Sequence, residues 1–125
     1  MIPLMTYLHI ASFLGASAVI AGAFGAHGLE GSISASRLET FETAAFYHLI
    51  HAVALLILSL QDPRLFTWAK RFFVAGTLIF SGSLYLLVLT DTPWLGAITP
   101  IGGVCFIVGW ISIGFGSGSL SKKGD

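Results

Sequence analysis

Four long apolar runs divide the chain, and polar, turn-forming residues separate them. The first run extends from about Leu4 to Ala26 and contains no Asp, Glu, Lys or Arg. The others centre on Thr43–Leu60, Phe72–Thr90 and Leu95–Phe115. A helix that crosses a bilayer needs about 20 mostly apolar residues. An unpaired backbone group in hydrocarbon costs several kcal/mol, so helices are the natural form for such runs. A β-barrel would instead show alternating segments of about 10 residues. The pattern predicts an all-α membrane bundle with helices over about 4–26, 36–60, 70–90 and 95–115, in up-down-up-down order.

The breaks sharpen these limits. Gly28-Leu29-Glu30-Gly31-Ser32-Ile33-Ser34 separates the first two helices. Ser36 and Glu39 have capping-box spacing, which predicts a helix start near Ser36. Gln61-Asp62-Pro63-Arg64 ends the second helix, because proline cannot continue it and restricts Asp62. Asp91-Thr92-Pro93 is the third break. Residues 116–125, rich in Gly and Ser, read as a disordered tail. The whole chain, 1–125, is expected to form one membrane domain. Ala21-Gly22-Ala23 resembles a cleavage site, but no basic residue precedes the run and the run exceeds a signal-peptide core. The first segment is therefore expected to remain as a span.

Composition excludes a soluble alternative. Hydrophobic residues make up 55% and charged residues 10%, against about 25% charged in soluble domains. Mean hydropathy is +0.88. A small domain could not hide that much apolar surface from water. Net charge is zero, so no basic field draws nucleic acid. The single cysteine, Cys105, lies in an apolar run and can form no internal disulfide. Arg64, Lys70, Arg71, Lys122 and Lys123 fall on the side of the termini, and Arg37 on the other. This bias predicts both termini in the cytoplasm. Trp68 and Tyr7 near the inner boundary, and Trp94 near the outer one, fit aromatic belts.

Small residues recur at helix-packing intervals. Ala11, Gly15, Ala18, Gly22 and Gly25 follow one face of the first helix. Gly102, Gly109 and Gly116 repeat every seven residues in the fourth, and Gly76 and Ser83 stand seven apart in the third. In lipid, close backbone approach replaces much of the hydrophobic drive. The stripes serve either packing within the bundle or self-association. Pro100, in Thr99-Pro100-Ile101-Gly102-Gly103, predicts a bent entry to the fourth helix, or a broken helix of the transporter type.

Histidines are the candidate chemistry. His48 and His51 are three apart on the second helix and share a broad face, with Tyr47 one turn from His51. His27 ends the first helix towards the same side. In a membrane, neutral histidine is hydrogen-bonding glue or a ligand or proton-handling group. A metal site would need His27, His48, His51 and Glu42 to converge, and a bis-histidine haem would need His27 and His48 to face each other at matched depth. No metal or cofactor is expected. No phosphate loop, nucleophile–base order or cysteine pair is present.

These motifs carry a resemblance. Gly22-Ala23-Phe24-Gly25-Ala26-His27-Gly28-Leu29 closes the first helix. Phe41-Glu42-Thr43-Ala44, with Tyr47-His48 and His51-Ala52, marks the second. Phe80-Ser81-Gly82-Ser83-Leu84-Tyr85 and Thr99-Pro100-Ile101-Gly102-Gly103, followed by Gly109-Trp110, mark the third and fourth. In this order they resemble the bacterial YgdD/YwdK group of small membrane proteins of unknown function, related to eukaryotic transmembrane protein 256. The resemblance implies a four-helix inner-membrane protein and places His27, Tyr47, His48 and His51 in family motifs. It implies no reaction, substrate or cofactor. The expected function is a non-enzymatic structural, assembly or interaction component that self-associates. Its expected partners are the lipid bilayer, further copies of the chain and an unidentified membrane protein. An oligomeric small-solute or proton transporter is the alternative, and a metal- or haem-binding subunit a weaker one.

Overall fold

A computed structural model describes the backbone of residues 4–123 and the side chains of residues 6–116. Helix α1 (Leu4–Phe24) continues into a π-helical turn (Gly25–Leu29), and α2 follows (Ala35–Ser59). The third span is α3 (Thr67–Gly76), a π turn (Thr77–Ser81) and α4 (Gly82–Thr90). A 3₁₀ turn (Pro93–Ala97) leads into α5 (Thr99–Lys123). The described residues thus contain four helices long and apolar enough to cross a membrane. The architecture is the expected all-α, up-down-up-down bundle.

The helix ends follow local chemistry and move a few expected limits. Ser34, not Ser36, caps α2: its extended backbone lets the hydroxyl accept from the Arg37 N–H at 3.2 Å. The third span begins at Thr67 rather than near residue 70. There Asp62 Oδ1 accepts the Arg64 N–H at 2.9 Å, and the Leu65 N–H reaches the Asp62 carbonyl at 2.9 Å. Phe66, with φ 59°, turns the chain so that the Lys70 N–H meets its carbonyl at 2.9 Å. Pro100 falls in the first turn of α5, where its missing N–H costs nothing. It therefore opens the helix after a 3₁₀ turn, and the alternative of a helix broken in its interior does not form. The α5 backbone continues to Lys123, past the expected end near 115. The side chains of 117–123 and all of 124–125 lie outside the described residues, and most of the expected disordered tail falls there.

The interior comprises three linked clusters. Tyr7, Ala11, Leu14, Ala52 and Leu55 join α1 to α2, with Val74 of α3 against them. Ala54, Leu58, Ala69, Phe73 and Phe106 join α2, α3 and α5. Leu29, Phe41 and Val88 close the other end. Tyr7 is 3% exposed, so it packs inside the bundle rather than facing the belt, whereas Trp68 and Trp94 are exposed.

The glycine repeat of α5 meets a phenylalanine repeat on the third span. A Cβ at Gly102 would stand 2.3 Å from the Phe80 backbone nitrogen. One at Gly109 would stand 2.7 Å from the Phe73 ring, and one at Gly116 2.8 Å from the Phe66 ring. Gly76 returns the pattern, with Phe106 occupying the space of its absent side chain. Both repeats step by seven in opposite directions, which is an antiparallel register. Ser83 and Thr99 continue it, their hydroxyls 2.6 Å apart.

The first helix behaves differently. Ala11, Ala18 and Gly25 are buried, and a Cβ at Gly25 would meet the Phe41 ring at 2.8 Å. Gly15 and Gly22 leave open space where a Cβ would stand. The expected single stripe is therefore divided between an inner edge and an outer one.

Candidate functional site

Several polar side chains of the other spans meet α2. An i, i+3 spacing turns the second residue about 60° around the helix. That angle is enough to send His48 and His51 to different neighbours. His48 is 6% exposed and faces α1 and α4. Its Nε2 lies 3.1 Å from Ser17 Oγ, and its Nδ1 2.9 Å from the Tyr85 hydroxyl. Ser17 donates its proton to the Leu14 carbonyl at 3.0 Å. Its oxygen therefore accepts from His48 Nε2–H, and Nδ1 accepts from Tyr85. The chain of donors runs Tyr85, His48, Ser17, Leu14.

His51 is 4% exposed and faces α5. The Trp110 indole N–H donates to its Nε2 at 3.0 Å. Indole only donates, so Nε2 must be an acceptor and the proton sits on Nδ1. That proton goes to the Tyr47 carbonyl at 2.8 Å. The ring stacks on Phe106 at 3.6 Å between centroids and meets Phe73 edge-on at 5.2 Å. The acceptor role of Nε2 makes His51 a neutral imidazole locked in one tautomer. Protonating it would break the Trp110 bond inside an aromatic cage.

Tyr47 contributes its carbonyl to this tie, while its ring rests on Phe80 at 4.7 Å. His27 is exposed on the π turn after α1 and joins neither histidine. Among the described residues no three His, Cys, Asp or Glu side chains come together as a metal site. The set His27, His48, His51 and Glu42 is not assembled.

Other ties complete the picture. The Ser81 hydroxyl donates to the Ala44 carbonyl at 2.8 Å, from the π turn to α2. The Arg37 guanidinium donates to the Val88 carbonyl, and its Nε lies 3.8 Å from Asp91. Ser17, Tyr85, Phe106 and Trp110 are the partners that sequence reasoning did not assign. Tyr85 and Trp110 lay within recognised motifs, but nothing local says which histidine each would meet. The seven-residue spacing of Phe66, Phe73 and Phe80 was a readable signal for the helix-packing register.

A lateral crevice of about 190 Å³ opens between α1 and the third span beside His48, and Ser17, Thr77, Ser81 and Tyr85 also line it. A second groove, of about 370 Å³, lies along α1 and α2 on the outside of the bundle. Ala18, Gly22, Ala45, Phe46 and Leu49 line it, with Glu42 among them.

Sequence comparisons agree with this architecture. Residues 21–103 match the family model described as "Protein of unknown function (DUF423)". The chain belongs to the DUF423 family. A UPF0382 membrane protein of Staphylococcus aureus (strain bovine RF122 / ET3-1) is 50% identical over 99 residues, 77% of this chain and 81% of its own length. UPF0382 membrane protein YwdK of Bacillus subtilis (strain 168) is 46% identical over 101 residues, 77% and 82% of the two chains. A UPF0382 membrane protein of Staphylococcus saprophyticus is 47% identical over 103 residues, 80% and 86% of the two. No solved structure matches. The DUF423 match and these relatives agree with a multi-pass bacterial membrane protein, and no specific activity is attached to the family.

Proposed function

We propose that this DUF423 protein is a non-enzymatic membrane component that self-associates, with both termini in the cytoplasm. The observation that carries the reading is the contrast between saturated histidines and open glycines. His48 and His51 use both ring nitrogens within the bundle, which makes them ties between helices. Gly15 and Gly22 leave room on the outside of α1. In lipid such room admits the backbone of a neighbouring helix. The proposed neighbour is a second copy, seated along the groove that contains Gly22, Phe46 and Leu49. The excess of Arg and Lys on the side of the termini supports the orientation.

Native mass spectrometry in mild detergent tests the association. The wild-type chain should form a defined oligomer, and Gly15→Leu with Gly22→Leu should convert it to monomer without loss of helix content. An oligomer of unchanged size in the double variant would remove this interface.

A second reading rests on the crevice at His48. Its polar side chains could pass a proton or a small solute between copies. His48→Gln should then abolish flux in reconstituted vesicles, and wild-type flux in that variant rules the path out.

A further inference from the structure

A third groove, between α1 and α3 at the basic end of the bundle, has a volume of about 260 Å³. Ile10, Val74, Ala75 and Leu78 give it aliphatic walls, and Tyr7 and Arg71 also line it. Four observations set it apart from the other outer grooves. Arg71 is exposed and has no hydrogen bond or ion pair among the described residues; its guanidinium lies over the Trp68 ring at 5.1 Å. That stacking holds the guanidinium at the level of an interfacial tryptophan. The Tyr7 hydroxyl is buried without a hydrogen-bond partner among the described residues, although a buried phenol ordinarily finds one. Lys70, 1% exposed, stands over the Tyr7 ring at 5.2 Å and donates to the Pro63 carbonyl at 3.2 Å. The carboxylate that acts on Lys70, Asp62, is already held by Arg64 through both its oxygens, at 3.1 and 2.8 Å. Among the described residues this end therefore carries Arg64, Lys70 and Arg71 against one carboxylate, Asp62, beside an aliphatic trough.

We propose that the α1/α3 groove binds one anionic phospholipid, with its phosphate on Arg71 and one acyl chain along Ile10, Val74 and Leu78. A guanidinium fork matches two phosphate oxygens. A polar peptide would leave the aliphatic walls unmatched, and a zwitterionic lipid would bring the same phosphate together with a cationic headgroup against the positive charge already at this end. The site lies between α1 and α3 and shares no lining residue with the self-association groove between α1 and α2.

The test titrates the full-length protein in mild detergent with phosphatidylglycerol, or with phosphatidylcholine of the same chains, and reads bound lipid by native mass spectrometry. Phosphatidylglycerol should bind about tenfold more tightly. Arg71→Gln should remove most of that preference, and Arg71→Lys should keep part of it. Ala75→Leu, which fills the trough and leaves the charges, should weaken binding of phosphatidylglycerol with Arg71 intact. Inorganic phosphate at the same concentration should not displace the lipid. Equal binding of the two lipids by wild type overturns the proposal. So does a preference that survives both Arg71→Gln and Ala75→Leu, or displacement by phosphate alone. Circular dichroism checks that each variant is folded. If Arg71→Gln does not fold, Ala75→Leu decides between the outcomes.

Discussion

Gly102 and Gly22 are the same residue in the interior of apolar helices, and they do opposite things. At Gly102 the absent side chain lets α5 approach the backbone of Phe80, and an added Cβ would lie 2.3 Å from its nitrogen. At Gly22 the absent side chain leaves empty space. The difference lies in what faces each glycine. Along α5, Gly102, Gly109 and Gly116 each receive a phenylalanine of the third span. Along α1, alternate members of one stripe look inward and outward. A small-residue motif in a membrane helix therefore marks where a close approach is allowed, and the partner must come from elsewhere.

The largest effect should come from the closed side. Gly102→Ala forces a Cβ into backbone that cannot move aside, so it should cost about 3 kcal/mol or more, or prevent folding. Thermal unfolding in micelles measures this, and a melting temperature within a degree of wild type would show that α5 does not pack so closely. Next comes Trp110→Phe, which leaves the His51 Nε2 acceptor without its donor inside the aromatic cage. A loss of about 1–2 kcal/mol is expected, and full stability would argue against the fixed tautomer. Ser83→Ala removes the Thr99 contact at 2.6 Å and should cost about 1 kcal/mol; denaturant titration followed by tryptophan fluorescence reads it. The smallest effect belongs to the open side. Gly22→Ala should change monomer stability by no more than about 0.5 kcal/mol, and a loss as large as that of Gly102→Ala would erase the contrast.

The two histidines repeat this lesson on one helix. Their spacing was legible and correctly placed them on α2. Reading them as one broad face overlooked the turn of about 60° between them. That turn assigns His48 to α1 and α4, and His51 to α5. His27, which the order of helices also sends towards this end, stays exposed and apart. The depth of a residue along a span follows from counting. Its azimuth around the bundle depends on which neighbour packs on each side.

The sequence by itself determined the four spans, their order and most of their ends. Those features depend on apolar length, proline and turn residues, which act within a few positions of the chain. Glycine and phenylalanine repeats also stood in the sequence, and their shared step of seven carried the register of α5 on the third span. Only the tertiary structure decided which glycines are filled, which hydroxyl each histidine meets, and that Pro100 opens a helix. It also brought Tyr7 under Lys70 and beside Arg71, three side chains from two separate spans. Such pairings depend on how helices rotate about their own axes against one another, and no local residue pattern fixes that rotation.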